Sequence, residues 1–217
     1  MAQGRVVKGR KIGLTSKAMQ SALNIDEPDS GTPFDGMFFA DGGLVPTDRF
    51  IVTRVEAELA FEMKQRLSGS NCTLFDVLNA TDFVVPALEI FDTRVERVDR
   101  ETKATRKIFD TVADNAANAG ILLGGRPIRP LDADLRWIGA LCYRNCQLEE
   151  TGLAAGMLNH PATAVARLAN KIAPNGLALE AEQVVLAGSF MRPIETRKGY
   201  TIQANYGSHG SVSCYFA

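Results

Sequence analysis

Ile51-Val-Thr-Arg-Val-Glu-Ala-Glu-Leu-Ala-Phe-Glu-Met63 alternates in character from one residue to the next. Side chains on a strand point to opposite faces in turn, so residues two apart share a face. The odd positions, Ile51, Thr53, Val55, Ala57, Leu59, Phe61 and Met63, are mostly apolar, while the even ones carry Arg54, Glu56, Glu58 and Glu62. The pattern predicts a strand with one buried face and places Glu56 and Glu58 side by side. Two adjacent carboxylates repel unless one is protonated or a cation lies between them. Taken alone, the segment also reads simply as a half-buried strand with Glu on its wet face.

A second carboxylate-bearing stretch, Phe83-Val-Val-Pro-Ala-Leu-Glu-Ile-Phe91, has the length and composition of a mostly buried strand. Its Glu89 therefore needs a partner: an arginine such as Arg54 or Arg94, or a cation shared with Glu56 and Glu58. A set of carboxylate oxygens suits Mg2+, Mn2+ or Ca2+ better than zinc or copper. Ser70-Asn71 is placed to cap a helix through Leu74, Val77 and Leu78, which sets the two Glu segments one crossover apart.

Around these segments, residues 5–15 read as a short strand and Asn24 to Pro33 as a tight polar loop. Residues 110–119 suit a short helix or ordered loop, Ile121 to Gly125 leads to a strand, and residues 135–149 suggest a hairpin turning at Arg144-Asn145. Pro161, with Asn159 or His160 as cap, opens the clearest helix, to residue 173 before Pro174-Asn175-Gly176. Strands follow at Gln183 to Gly188, Tyr200 to Tyr206 and Ser211 to Phe216. Strands outnumber helices without regular alternation, which predicts a mixed α+β fold.

Bulk properties exclude several classes. Lys plus Arg total 24 against 25 Asp plus Glu, so no basic field attracts nucleic acid or an anionic membrane. No apolar run approaches the roughly 20 residues that span a bilayer, and the basic N-terminus from Met1 to Lys11 lacks the apolar core of a secretory signal. A cytoplasmic protein is expected. The four cysteines, Cys72, Cys142, Cys146 and Cys214, form no C-x-x-C pair and read as reduced core residues. No Walker loop, G-x-G-x-x-G or G-x-S-x-G is present.

Lys8-Gly-Arg-Lys-Ile-Gly-Leu-Thr-Ser16, Asp26-Glu-Pro-Asp-Ser-Gly31, Arg54 to Phe61, Asn79-Ala-Thr-Asp82, Pro86 to Phe91, Asp114-Asn-Ala-Ala-Asn118, Leu158-Asn-His-Pro161 and Gly188-Ser-Phe190 together carry a resemblance. The chain resembles, over essentially its whole length, the 2-oxo-hept-4-ene-1,7-dioate hydratases. These stand with the 2-hydroxypentadienoate hydratases and 4-oxalocrotonate decarboxylases in the fumarylacetoacetate-hydrolase-like superfamily. Such hydratases usually carry a further N-terminal segment before the Lys-Ile-Gly strand, so residues 1–217 are expected to be a single catalytic domain without it.

The resemblance implies a central mixed β-roll with flanking helices and Mg2+, or Mn2+, held by Glu56, Glu58 and Glu89. It also implies proton handling by Lys11 and Asp29, and contact of Ser189 with the substrate carboxylate. The implied activity is hydration of a 2-hydroxy-2,4-dienoate or 2-oxo-4-enoate, in the aromatic catabolism that follows meta ring cleavage, as in 4-hydroxyphenylacetate degradation. The seven-carbon dicarboxylate is the expected substrate and 4-hydroxy-2-oxoheptanedioate the expected product. A five-carbon substrate, a decarboxylase on the same scaffold, and an inactive subunit supporting a partner enzyme are the alternatives. A homo-oligomer, associated with a pathway decarboxylase, is the expected assembly.

From local sequence alone, Lys11 would belong to a solvated basic strip with Arg5, Lys8 and Arg10, and Asp29 would be a turn residue. Beside a metal, a partly desolvated Lys11 is expected to have a lowered pKa. His160 reads as a helix-entry residue, and His209 as a surface one.

Overall fold

The alternation at 51–63 becomes strand β5, Thr53–Met63, in a computed structural model that describes residues 4–16, 20, 25, 27–96 and 98–217. Met1 to Gln3, Asn24 and Asp26, which belong to the basic N-terminus and the polar loop, lie outside the described residues. The odd positions from Thr53 to Met63 are all buried, as their parity requires. Ile51 departs from that pattern: it precedes the strand and is 71% exposed. The Asp92 carboxylate accepts from Ile51 N and Val52 N and turns the chain there. The even face is wet only at its end: Glu62 is exposed, Arg54 and Glu56 are half-buried, and Glu58 and Ala60 are buried.

Among the described residues the chain continues from β1 (Gly9–Gly13) and β2 (Asp29–Gly31) through β3 (Phe38–Phe39) and β4 (Gly43–Val45) to β5. Helix α1 (Leu74–Ala80) then leads to β6 (Thr81–Asp92), and α2 (Ile108–Ala113) to β7 (Asn118–Leu123). A hairpin of β8 (Gly139–Arg144) and β9 (Gln147–Leu153) precedes α3 (Pro161–Ile172). The last strands are β10 (Val184–Ser189), β11 (Ile194–Glu195), β12 (Thr201–Asn205) and β13 (Ser211–Phe216).

The strands form two sheets. One runs β2-β1-β10-β5-β6-β7-β3, with β11 added on β5; the other runs β4-β13-β12-β8-β9. The expected crossover between the two Glu segments is instead a return: α1 brings the chain back so that β5 and β6 pair antiparallel. Thr73 caps α1, not Ser70 or Asn71. Its side chain accepts from Asp76 N, and Asp76 Oδ2 in turn accepts from Thr73 N at 2.7 Å, a reciprocal closure of the first turn. At α3 the cap is His160, whose Nδ1 accepts from Ala162 N at 3.0 Å, with Pro161 at the first helical position. Val165, Leu168, Ala169 and Ile172 make the buried face of α3, which packs on α1, β10 and β1. Burying a side chain such as Leu168 contributes about 1.5–3 kcal/mol.

Two further expectations are corrected. Asp29 lies on the short strand β2, paired antiparallel with β1, rather than in a turn. Of the cysteines only Cys142 and Cys214 are buried; Cys146, in the exposed turn between β8 and β9, and Cys72 are not, and all four are free.

The large sheet is rolled. β1 and β6 are three steps apart in it, about 14 Å in a flat sheet at roughly 4.8 Å per step, yet Lys11 Nζ from β1 lies 2.6 Å from Glu89 Oε1 of β6. Side chains meet over that span only if the sheet curls around them. From the second sheet, Tyr206, just past β12, sends its hydroxyl to within 2.9 Å of Glu58 O and 2.7 Å of Ala87 O, on the paired strands β5 and β6. The fold is thus α+β, two curled mixed sheets with a few helices, as the sequence predicts.

Candidate metal centre and active-site cavity

Register brings the three glutamates together. Glu56 stands directly opposite Glu89 in the β5–β6 pair, and Glu58 follows on the same face of β5. One carboxylate oxygen from each lies within 4.8 Å of the others. Like charges opposite one another in a sheet are destabilising, and burial sharpens the cost: Glu58 is 1% exposed and Glu89 0%. Burial and then the Glu89 charge push the Glu56 carboxyl up to about 8. The same two causes hold Glu58 well above the ordinary range, against the lowering effect of Lys11.

The neighbours fix this cluster from the protein side. Glu89 Oε1 accepts from Lys11 Nζ and from Asn118 Nδ2, each at 2.6 Å, while Oε2 has no donor among the described residues. Glu58 Oε2 accepts from Gly188 N at 2.9 Å. Gly188 has a φ of +97°, and a Cβ there would sit 2.3 Å from Thr15 Oγ1, so only glycine supplies this donor. The donor set is all oxygen, one buried carboxylate oxygen is unpartnered, and the mutual repulsion calls for positive charge. The residues fit a hard divalent cation.

Arg54 and Arg94, the arginines suggested as partners of Glu89, are engaged elsewhere, Arg54 with Glu195 and Arg94 with Asp114. Lys11 takes that place. It is buried rather than solvated, and also donates to Ala116 O at 3.1 Å. Burial alone would lower its pKa, but the charges of Glu89, Asp29 and Glu58 outweigh burial and raise it. The lowered pKa expected for Lys11 belongs to the metal-bound site: without a cation the carboxylates hold the proton on Lys11, and a cation among them would offset those charges.

Asp29 is 5% exposed, its Oδ1 unpartnered, and burial raises its pKa. Gly13 makes room for it: a Cβ there would lie 2.3 Å from Asp29 Oδ1. Lys11, Asp29, Glu56 and Ser189 line a cavity of about 510 Å3, together with Arg54, Arg106, Thr111 and others. Ser189 Oγ sits 2.9 Å from Met191 O, which its proton reaches, and accepts from Met191 N at 3.2 Å. All six residues singled out in the sequence therefore border the cavity or the carboxylate cluster behind it.

Sequence reading made no site assignment for Asn118, which is fully buried and bonded to Glu89. The signal was an Asn inside the apolar run Ala116-Ala-Asn-Ala-Gly-Ile-Leu-Leu123, where a polar side chain needs a partner. The turn ahead of it is strained. Asn115, Ala116 and Ala117 all have positive φ, at 55°, 51° and 56°, and this turns the Ala116 carbonyl onto Lys11.

Fold and site define a class: rolled α+β proteins with a three-carboxylate centre for a hard cation. No family model matches the sequence, but individual relatives do. A 2-oxo-hept-4-ene-1,7-dioate hydratase of Escherichia coli is 61% identical over 216 residues, 100% of this chain and 81% of that protein. The solved 4-oxalocrotonate decarboxylase from Pseudomonas putida G7, complexed with magnesium and adipate, is 33% identical and superposes with a TM-score of 0.92, covering 100% of this chain and 80% of that one. A yeast fumarylacetoacetate hydrolase family protein, 14% identical with a TM-score of 0.67, covers 96% of this chain and 93% of its own and shares the fold. The chain belongs to the family of the 2-oxo-hept-4-ene-1,7-dioate hydratases and 4-oxalocrotonate decarboxylases.

Proposed function

We infer that the protein is a Mg2+-dependent hydro-lyase that adds water to 2-oxo-hept-4-ene-1,7-dioate, giving 4-hydroxy-2-oxoheptanedioate. The observation that carries this is the convergence of Glu56, Glu58 and Glu89 within 4.8 Å behind a cavity bordered by Lys11 and Asp29. Identity of 61% to the E. coli hydratase, against 33% to the decarboxylase, favours hydration over loss of CO2.

Glu56, Glu58 and Glu89 would hold the cation, which when bound stabilises negative charge on the C1 carboxylate and C2 oxygen of a 2-oxo acid. Around it, Lys11 is the proton carrier. Its ammonium, anchored by Glu89 and Ala116 O, is presented to the substrate carbons from a buried position that excludes bulk water. Asp29, with an oxygen free of any donor, orients the attacking water and accepts its proton. Ser189 contacts the substrate carboxylate once its hydroxyl turns from Met191 O. An inactive supporting subunit, the alternative of another class, has no need of this assembled set.

Residues 1–217 act as one catalytic domain on this reading, and the shared core of the two sheets supports it. Trp137, Leu141 and Leu153, exposed beside a groove on the second sheet, support self-association, which sedimentation would test. Among the described residues no helix is long and apolar enough to cross a membrane.

Assays with the seven-carbon and five-carbon dienols and with oxalocrotonate test the reaction. Hydration of the seven-carbon acid is expected, and CO2 release without a 4-hydroxy-2-oxo product would sink the hydratase reading.

A further inference from the structure

Three guanidinium groups border the cavity, those of Arg54, Arg106 and Arg192. Two have acidic partners: Arg54 Nη2 lies 2.9 Å from Glu195 Oε1, and Arg192 Nη2 lies 2.7 Å from Glu150 Oε1. Arg106 has none among the described residues, and its Nη1 is buried with no hydrogen-bond partner. An arginine cannot shed its charge, so a guanidinium with a buried N–H that no protein group accepts is matched by an anion in the cavity. The backbone on either side is pinned. Thr105 bridges to Val98, and Lys107 N donates to Asp110 Oδ2 at 2.8 Å, closing the start of α2. The backbone that carries Arg106 is therefore anchored beside the cavity.

The carboxylate cluster and Lys11 account for the 2-oxo acid end of the substrate. A seven-carbon diacid has a second carboxylate at its other end, and of the cavity's three arginines Arg106 alone has no acidic partner among the described residues; Arg54 Nε is also buried without an acceptor, but its Nη2 is held by Glu195. We propose that Arg106 binds the distal carboxylate and makes the enzyme select the seven-carbon diacid over a five-carbon monoacid. A planar guanidinium matches a carboxylate in two parallel hydrogen bonds. A monoacid would leave it unpaired, which is how a polar subsite rejects the shorter substrate. The identity of the substrate rests on the hydratase reading above; the class of ligand rests on the unpaired guanidinium.

The test combines turnover with binding. Arg106→Gln is expected to lower kcat/KM for the seven-carbon dienoate by about 10²-fold, chiefly through KM, and to leave the five-carbon dienoate within about threefold, with Arg106→Lys intermediate. Equal loss on both substrates, or none on the seven-carbon acid, overturns the proposal. Calorimetry on the Mg2+-loaded wild type with 2-oxoheptanedioate and 2-oxoheptanoate, which differ only at the distal end, needs no variant and no turnover. Tighter binding of the diacid, lost in Arg106→Gln, supports the carboxylate subsite even if hydration is not observed. Equal affinity for the two acids overturns it.

Discussion

Glu56 is the residue whose ionisation the fold resists, at about 8 against an ordinary 4.5. Between those values the unfolded carboxyl has already ionised while the folded one still keeps its proton, so this group costs stability as pH rises through that window. The metal-free protein is therefore expected to lose melting temperature across the interval, and Glu56→Gln to flatten the loss. A steeper fall in the variant would count against the assigned shift. In the presence of Mg2+ the same variant is expected to lose most of the metal-induced rise in melting temperature and at least about 10²-fold in kcat/KM. Asn118→Ala withdraws a 2.6 Å donor from Glu89. Groups that orient a ligand from behind typically contribute 10–100-fold in metal affinity, so titration of Mg2+ followed by melting temperature should show about a tenfold weaker midpoint. The glutamates were legible in the sequence because strand parity puts Glu56 and Glu58 on one face. That Glu89 faces Glu56 depends on register, which no local pattern encodes. Asp29 and Lys11 were misread by local rules, the one as a turn and the other as a wet strip, because burial of both comes from the rolling of the sheet.

At the scale of elements, helix α3 and strands β5, β6 and β13 follow their sequence signals closely, since alternation, caps and a proline at the first turn are local facts. The return through α1 was not legible: a helix between two strands reads equally as a crossover, and only pairing decides. Tyr206 is the element-level tie. Its hydroxyl reaches two main-chain carbonyls on neighbouring strands, at Glu58 and Ala87, from a fully desolvated position. Tyr206→Phe removes the single proton that the two carbonyls share and leaves one buried acceptor short of a partner, a cost of about 1–3 kcal/mol. Chemical denaturation should show that loss, with Mg2+ affinity falling alongside if the tie also sets the spacing of Glu58. An unchanged Mg2+ midpoint would confine Tyr206 to stability.

For the whole molecule, the roll sets the terms. Buried carboxylates that repel one another make the folded chain a better binder of divalent cations than the unfolded one, so metal and fold are linked. Mg2+ at about one hundred times its dissociation constant is expected to add about 2.7 kcal/mol to stability, and Mn2+ to act in the same direction. If neither ion shifts the melting temperature, the carboxylate centre is not a cation site. The overall charge near neutrality gave no hint of this concentration of charge, because 25 acidic and 24 basic residues average it away.

The strands that carry Glu56, Glu58 and Glu89 are the two longest in the molecule's larger sheet, 11 and 12 residues, and they lie at its middle. Asp29 sits on the outermost strand of that sheet, and Arg106 on a connecting segment. The cation anchor and the groups proposed to meet the substrate thus sit on different parts of the fold, and substitutions at the one need not disturb the other. A library aimed at new substrates should vary the border of the cavity and leave the paired central strands untouched.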